Sequence, residues 1–452
     1  MTVLGIRAEL LAVRGDPAVA GEEAIVHHAD GLIVIEDGIV AAYGDHAVLA
    51  ERHPTLAIED RRGLLLVPGF IDCHVHYPQT ERIAAHGAQL LDWLERHIFP
   101  AEQAFADRAH ADDVAGFFLD ELLRNGTTSA LVFATVHASS VDALFDAALA
   151  RDMRIISGKT LMDREAPTAL CDTVESGRAQ SEALIARWRG RGRLGYAVTP
   201  RFALTSTRAQ LASAGELLAA HPDALLHTHL SENLGEIAAV GAAFPEAADY
   251  LDVYARHGLV GARSVFAHGV HLDDGAMARL GAAGSAIAFC PTSNLFLGSG
   301  LFDLARADAR GVRVGIGTDV GAGTSFSILH TLGEAYKVCQ MRGASLDPFR
   351  ALWLATGAGA HALHIADRVG GLAPGQEADF VLLDAAATPL LARRTAGLPL
   401  AERLFALQIL GDDRAVAETW VAGRPAHRRQ AFASGSDVTR AAATAPARPA
   451  SV

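Results

Sequence analysis

The chain has 452 residues, half of them apolar and a fifth charged, and its formal net charge is −13 at pH 7. Its length exceeds one core of ordinary size, so we expect two structural units, one of them large. The acidic balance repels phosphate backbones and argues against a nucleic-acid partner, and no uncharged apolar run approaches the roughly 20 residues that span a membrane.

Residues 1–66 have the pattern of short strands joined by turns. The sequence Glu36-Asp37-Gly38 separates two apolar runs, and Asp-Gly between such runs is typical of a β-hairpin. Residues 370–430 show similar apolar runs and tight turns, as in VGGLAPGQEADFVLLD and AETWVAGRPA. We therefore predict a small β-sandwich domain to which both ends of the chain contribute.

Residues 67–369 alternate short apolar strands with helical stretches such as DVAGFFLDELLRNG. Eight such units predict an α/β fold, a (β/α)8 TIM barrel with its chemistry at the carboxyl ends of the strands. An open doubly wound sheet, the rival fold, would require a glycine-rich phosphate loop after the first strand, and GFIDCHVHYPQ is not one. The eight predicted strands are VPGFIDCHVH, TTSALVFAT, RIISGKTLMD, RLGYAVTPRF, ALLHTHLSE, SVFAHGVHL, AIAFCPTSN and RVGIGTDVG.

The remaining segments bear on order and location. Residues 431–452 consist of small residues and prolines with almost no large apolar groups, so we expect a disordered tail. The N-terminus has no basic segment followed by a long apolar stretch, so no signal peptide is predicted. No cysteine lies in a CxxC pair, which fits reduced thiols in a cytoplasmic protein. The four cysteines are Cys73, Cys171, Cys290 and Cys339.

Imidazole and carboxylate groups end several predicted strands. His74 and His76 end the first strand and point to the same face, because side chains alternate along a strand. The fifth strand ends in HTHLSE, the sixth in His268 and the eighth in Asp319. Three histidines and one aspartate at the barrel mouth would form a ligand set that suits zinc, with iron also possible. Spacing alone leaves both histidines of HTHLSE, His227 and His229, open as the third.

The motifs PGFIDCHVH, HTHLSE, FAHGVHL and GIGTDVGAG resemble those of the amidohydrolase superfamily. The resemblance extends from about residue 60 to about residue 425 and implies the metal ligands His74, His76, His229 and Asp319. The HxxE motif of the superfamily selects His229, because Glu232 follows it by three residues.

The resemblance also bears on the number of metal ions. Binuclear members of the superfamily usually carry a carboxylated lysine on the fourth strand. Here that strand ends in Arg201, and Lys159 lies on the third strand. One zinc ion per subunit is therefore expected.

Within the superfamily, HVHYPQ, GAQLLDWLERHIFPAE, TPRFALT and CPTSNLFLGSG resemble the guanine deaminase family. That resemblance implies hydrolysis of guanine to xanthine and ammonia, with the purine held by Gln79, Arg201 and Phe202. Trp93, and with it Phe99, is a candidate for a lid over the flat ring. Phe202 faces away from Arg201 along an ideal strand, so it reaches the substrate only if the strand has ended before it. The family also suggests a homodimer.

The resemblance assigns Glu232 as general base, with His268 directing the attacking oxygen and Asp319 passing a proton to the departing amine. Two alternatives stay open at this point. Another mononuclear amidohydrolase would deaminate a related heterocycle such as 8-oxoguanine, cytosine or an s-triazine. A non-catalytic scaffold is a second alternative, against which the complete set of metal-ligand and acid-base residues argues.

Overall fold

The computed structural model describes residues 3–87 and 89–430, so the predicted disordered tail lies outside the described residues. The strands, in chain order, are β1 Val3–Val13, β2 Ile25–Glu36, β3 Ile39–Asp45, β4 Ile58–Pro68, β5 Phe70–His76, β6 Thr127–Phe133, β7 Arg154–Gly158, β8 Thr160–Leu161, β9 Gly195–Pro200, β10 Leu225–Leu230, β11 Ser264–His268, β12 Ala286–Phe289, β13 Arg313–Ile316, β14 Phe380–Leu383, β15 Val416–Val421 and β16 Arg424–Arg428. The helices are α1 Pro17–Ala20, α2 His46–Arg52, α3 Leu90–Trp93, α4 Phe99–Gln103, α5 Arg108–Arg124, α6 Ala138–Ala150, α7 Val174–Trp188, α8 Arg208–Ala220, α9 Leu234–Ala243, α10 Tyr250–Ala255, α11 Asp274–Ala283, α12 Pro291–Phe296, α13 Leu304–Ala309, α14 Ile328–Met341, α15 Pro348–Ala355, α16 Gly357–Ala362, α17 Pro389–Thr395 and α18 Leu400–Leu410.

The central part of the chain forms a parallel barrel, as predicted. Its strands are hydrogen-bonded in the order β5-β6-β7-β9-β10-β11-β12-β13, and β8 pairs with β9. The first and last strands meet where the backbone N–H of His76 donates to Val320 O, and that of Asp319 donates to His74 O, both at 2.8 Å. The carboxyl ends of all eight strand positions therefore surround one barrel mouth.

The strands of the barrel are apolar because they are covered on both faces. Every residue of β5 and β6 is buried, and the helix predicted at DVAGFFLDELLRNG is α5. Asp107 caps α5 by accepting a hydrogen bond from Ala109 N, and Gly126 follows the helix at φ 85°. The seventh predicted strand is shorter than expected, since β12 ends at Phe289 and the CPTSN segment continues into α12.

Both ends of the chain build the second unit, as predicted. Seven strands are hydrogen-bonded in the order β16-β15-β14-β4-β1-β2-β3, and only the β1–β4 pairing is parallel. The predicted Asp37-Gly38 turn joins β2 to β3 with both residues at positive φ, and Ala422-Gly423 joins β15 to β16 in the same way. Such conformations match the twist of a two-residue hairpin. In the core of this sheet, Trp420 stacks on the Phe380 ring at 5.2 Å between centroids.

Among the described residues, no helix combines the length and apolar character that crossing a bilayer requires.

Candidate active site

A group of three histidines and one aspartate lies at the mouth of the barrel. His74 and His76 come from the end of β5, His229 from β10, and Asp319 from the turn after β13. The His76 Nε2 atom lies 3.2 Å from the Nε2 atoms of both His74 and His229. Asp319 Oδ1 lies 3.1 Å from His74 Nε2 and 3.3 Å from His76 Nε2.

These four separations are those expected around one metal ion, and all four ligand atoms lie within 4.8 Å of one another. Ligand atoms at tetrahedral positions about 2.0–2.1 Å from zinc lie about 3.3 Å from one another. Burial lowers the pKa of His76 to about 3 and depresses those of His74 and His229, so the three imidazoles are neutral with lone pairs available to a cation. Burial opposes ionisation of Asp319, but the neighbouring histidines hold the pKa of its carboxyl well below its usual range. The donor set is therefore that of a mononuclear metal site.

His229, and not His227, belongs to this group. His229 Nδ1 lies 2.6 Å from the carbonyl oxygen of Arg201, which fixes its N–H there and leaves Nε2 free for the ion. His227 Nε2 instead lies 2.7 Å from His74 Nδ1, behind the metal-facing side of that ring.

The lysine that a second metal would need is engaged elsewhere. Lys159 is buried, and its ammonium group pairs with Asp172 and lies 3.3 Å from Thr160 O. Strand β9 is followed by Arg201, whose guanidinium cannot be carboxylated as a lysine amine can.

Glu232 and His268 stand beside the metal-ligand group. Glu232 Oε2 lies 3.4 Å from His268 Nε2, and Glu232 Oε1 accepts a hydrogen bond from Ser299 Oγ at 3.1 Å. Burial and the nearby Asp319 carboxylate raise the pKa of Glu232 to about 8. His268 Nδ1 lies 2.9 Å from Asn294 Oδ1, an acceptor that orients the ring, whereas His268 Nε2 is buried without a hydrogen-bond partner among the described residues.

Three residues of this region have left-handed backbone conformations that are costly for residues other than glycine. The φ angles are 49° at Ser231, 72° at His268 and 52° at Asp319. Such conformations cost about 1–3 kcal/mol each and cluster at functional sites. In each case the conformation lies where a strand turns into the loop that carries a site residue.

A cavity opens above these groups. Its floor, as we name it, consists of the metal-ligand group with Glu232 and His268. Its wall consists of the four predicted substrate-binding residues Gln79, Trp93, Arg201 and Phe202, all of which line the cavity. Strand β9 ends at Pro200, before Phe202, so the alternation of side chains along the strand does not turn Phe202 away from the cavity. Phe99 packs near Arg201 instead, with the guanidinium carbon 5.8 Å from its ring centroid.

Sequence reasoning missed several polar residues that hold the floor and the wall. Asn294 and Ser299 lie within CPTSNLFLGSG, where no spacing distinguishes them from their neighbours. Glu102 lies on a short helix and has no distinctive spacing either. Glu236 had a signal, because Asn233 and Glu236 form a capping box at the start of α9. The Glu236 carboxylate also accepts a hydrogen bond from Glu232 N at 2.9 Å, which fixes the backbone of the proposed base.

The chain is similar to known proteins over most of its length. The amidohydrolase family matches residues 65–426. The guanine deaminase of Escherichia coli (strain K12) is 50% identical over 402 residues, which are 88% of this chain and 92% of that protein. A structure of E. coli guanine deaminase has a TM-score of 0.92 at 47% identity and covers 95% of this chain and 100% of its own. A guanine deaminase structure from C. acetobutylicum, with guanine bound in its active site, has a TM-score of 0.86 at 26% identity and covers 94% and 100%.

Proposed function

The chain belongs to the amidohydrolase family and to the guanine deaminases within it, and we propose that its barrel-mouth cavity hydrolyses guanine to xanthine and ammonia. The observation that carries this proposal is the presence of a mononuclear metal-ligand group and a polar, aromatic wall in one cavity. The 50% identity to a guanine deaminase over most of both chains supports the substrate.

His74, His76, His229 and Asp319 would hold one ion, and we propose zinc. The three imidazole nitrogens and one carboxylate oxygen are a ligand set that zinc prefers. When bound, the ion would supply a water molecule acidic enough to lose a proton near neutral pH.

Glu232 is the proposed proton carrier. Its carboxylate would accept a proton from the attacking water and deliver it to ring N3 as the oxygen adds to C2. The raised pKa of this buried group suits both steps, because a carrier must take up and release a proton near the working pH.

His268 and Asp319 would complete the reaction. His268 Nε2 lies 3.4 Å from Glu232 Oε2 and makes no hydrogen bond among the described residues, so it would hydrogen-bond the attacking oxygen and fix its direction. The second oxygen of Asp319 lies 3.8 Å from the same nitrogen, where it could accept the remaining proton and pass it to the leaving amine.

The wall would recognise the purine. Both hydrogen bonds from Arg201 to Glu102 use Nη1, and among the described residues neither Nε nor Nη2 of Arg201 has a hydrogen-bond partner. These free donors suit the O6 acceptor of guanine, and the Gln79 amide can donate and accept at adjacent ring positions. Phe202 and Trp93 would enclose the ring faces. Adenine lacks the O6 acceptor and should be a poor substrate.

An ammonia-release assay tests the assignment with guanine, 8-oxoguanine, cytosine and adenine under one set of conditions. The expected result is a kcat/KM for guanine well above those of the other three. A preference for cytosine or 8-oxoguanine would contradict the proposed substrate while leaving the metal site intact.

We propose three further features of the protein. The four cysteines are unpaired, which supports a reducing, cytoplasmic location. The family resemblance supports a homodimer, which sedimentation velocity tests directly. The boundaries between the small domain and the barrel, at residues 66 and 369, stay a proposal; strand β4 of the small sheet continues to Pro68 and the first barrel strand begins at Phe70.

A further inference from the structure

One buried carboxylate beside the cavity has no part in the proposed chemistry. Glu102 lies on α4 with no exposed surface, and its two oxygens accept hydrogen bonds from Arg201 Nη1 at 2.6 and 2.7 Å. A buried charge requires a partner, and here one nitrogen of the guanidinium is the partner of both carboxylate oxygens.

This arrangement decides which edge of Arg201 faces the cavity. Because Glu102 occupies Nη1, the guanidinium can offer only Nε and Nη2 to a ligand, and Phe99 borders its face. The guanidinium group is planar and rigid, so holding one nitrogen fixes the direction of the other two.

The same carboxylate also borders Gln79. Gln79 Nε2 lies 3.5 Å from Glu102 Oε1, a long contact, and Gln79 Oε1 lies 3.3 Å from Gly321 N. These two neighbours determine which end of the amide is the donor and which is the acceptor. Glu102 therefore contacts both polar residues of the wall without lining the cavity itself.

The charge of the pair matters as much as its geometry. Arg201 alone would place an uncompensated cation in the wall, where little water screens it. With Glu102 beside it, the pair contributes no net charge. A wall of that kind suits a neutral purine and disfavours an anion of the same shape.

We propose that Glu102 is a positioning and specificity-determining residue: it aims Arg201 and Gln79 at the purine and restricts the cavity to neutral bases. The proposal rests on the proposed function, in which Arg201 contacts the substrate. It has a consequence for turnover, because xanthine has a second carbonyl and loses a proton more readily than guanine. Because Glu102 balances the positive charge of Arg201, the wall does not retain the xanthine anion after the reaction.

The wild-type enzyme provides the first test. Inhibition by xanthine is measured from pH 6 to about pH 9, with hypoxanthine as a reference inhibitor that ionises less readily. The xanthine inhibition constant should rise relative to that of hypoxanthine as xanthine ionises. Because Glu232 and Asp319 also line the cavity, the comparison with Glu102→Gln determines how much of that rise is due to Glu102. A constant ratio would overturn the proposal, because it would mean that the cavity accepts the anion.

Glu102→Gln provides the second test. This variant keeps the shape of the side chain and removes its charge, so xanthine should bind on the order of tenfold more tightly at alkaline pH than it does to the wild type. The KM for guanine should rise, and metal content should stay unchanged. The same pH dependence of xanthine inhibition as in the wild type would contradict the proposal.

Two further variants separate specificity from folding. Asp379→Asn removes a carboxylate of another buried pair, with Arg193, at the amino end of the barrel strands, and should lower stability without changing xanthine inhibition. Glu102→Asp keeps the charge but retracts it, so guanine KM should rise severalfold while the discrimination against the xanthine anion persists. An unchanged KM in this variant would overturn the positioning role even if Glu102→Gln does not fold.

Arg201→Ala distinguishes failure of this proposal from failure of the proposed function. If the variant loses guanine and 2-aminopurine activity equally, Arg201 does not read the purine and the premise is wrong. If guanine alone suffers while Glu102→Gln behaves as wild type, Arg201 reads the purine and only the role of Glu102 is wrong.

Discussion

The floor and the wall of the cavity come from different parts of the fold. The floor residues lie at or just beyond the ends of barrel strands, where neighbouring hydrogen-bonded strands fix each backbone. The wall comes from turns after β5 and β9 and from the helical segment at residues 90–103, and it depends on Glu102 for its orientation. The difference predicts that chemistry and substrate choice are separable in this enzyme. Floor variants should affect every substrate, and wall variants should affect substrates selectively.

Removal of the metal should have the largest effect, because the proposed ion would supply the acidic water on which hydrolysis of every substrate depends. We expect a chelator to reduce activity to background and one equivalent of zinc per chain to restore it. Elemental analysis of the purified enzyme measures the stoichiometry. Two tightly held ions per chain would contradict the mononuclear site.

The second largest effect is expected for Glu232→Gln. The amide fills the same space but cannot take up the proton, and a general acid–base group is typically worth about 10²–10⁴-fold in rate. The losses should be similar for guanine and 2-aminopurine, since both require the same proton transfers. Metal content should remain that of the wild type. If zinc is lost in proportion to the rate, Glu232 is a ligand and its proposed role is wrong.

The same division explains how much the sequence could predict. Strand periodicity predicted the barrel, and the strand-end positions of the histidines and of Asp319 predicted a metal site at its mouth, because strand ends of a parallel barrel converge wherever the chain folds that way. The selection of His229 and the roles of Glu232 and His268 came from the family resemblance and stay predictions. The wall residues were predicted from the resemblance, and Glu102, the buried carboxylate that contacts two of them, was not predicted. Glu102 follows Gln79 by 23 residues and precedes Arg201 by 99, and no local pattern relates positions brought together by a loop. Spacing alone likewise left His227 and His229 open, because the feature that separates them in the structure is a tertiary contact, the one between His229 Nδ1 and the carbonyl oxygen of Arg201.

A smaller and selective effect is expected for Arg201→Ala. Losing a hydrogen bond to a charged group costs about 1.5–3 kcal/mol, which is on the order of ten- to a hundredfold in kcat/KM for guanine. The loss should be small for 2-aminopurine, which has no O6 and never made the contact. Metal content should not change, because no side-chain atom of Arg201 belongs to the ligand group. Equal losses for the two purines would show that Arg201 does not recognise the purine, and its pair with Glu102 would then be a structural contact only.

The smallest effect on turnover is expected for His227, which lies behind the floor and touches neither wall nor cavity. If His74 Nε2 binds the ion, its Nδ1 carries the proton and donates it to His227 Nε2 across 2.7 Å. Partners of this kind orient a ligand, and their loss typically weakens metal affinity by about 10–100-fold. His227→Leu removes the acceptor and should therefore lose zinc to a competing chelator more readily, while kcat at saturating zinc stays close to that of the wild type. His227→Gln, whose amide oxygen can still accept, should retain zinc better than the leucine variant. Equal zinc retention by wild type and His227→Leu would identify His227 as a packing neighbour only, and the floor would then depend on its four ligands without this support.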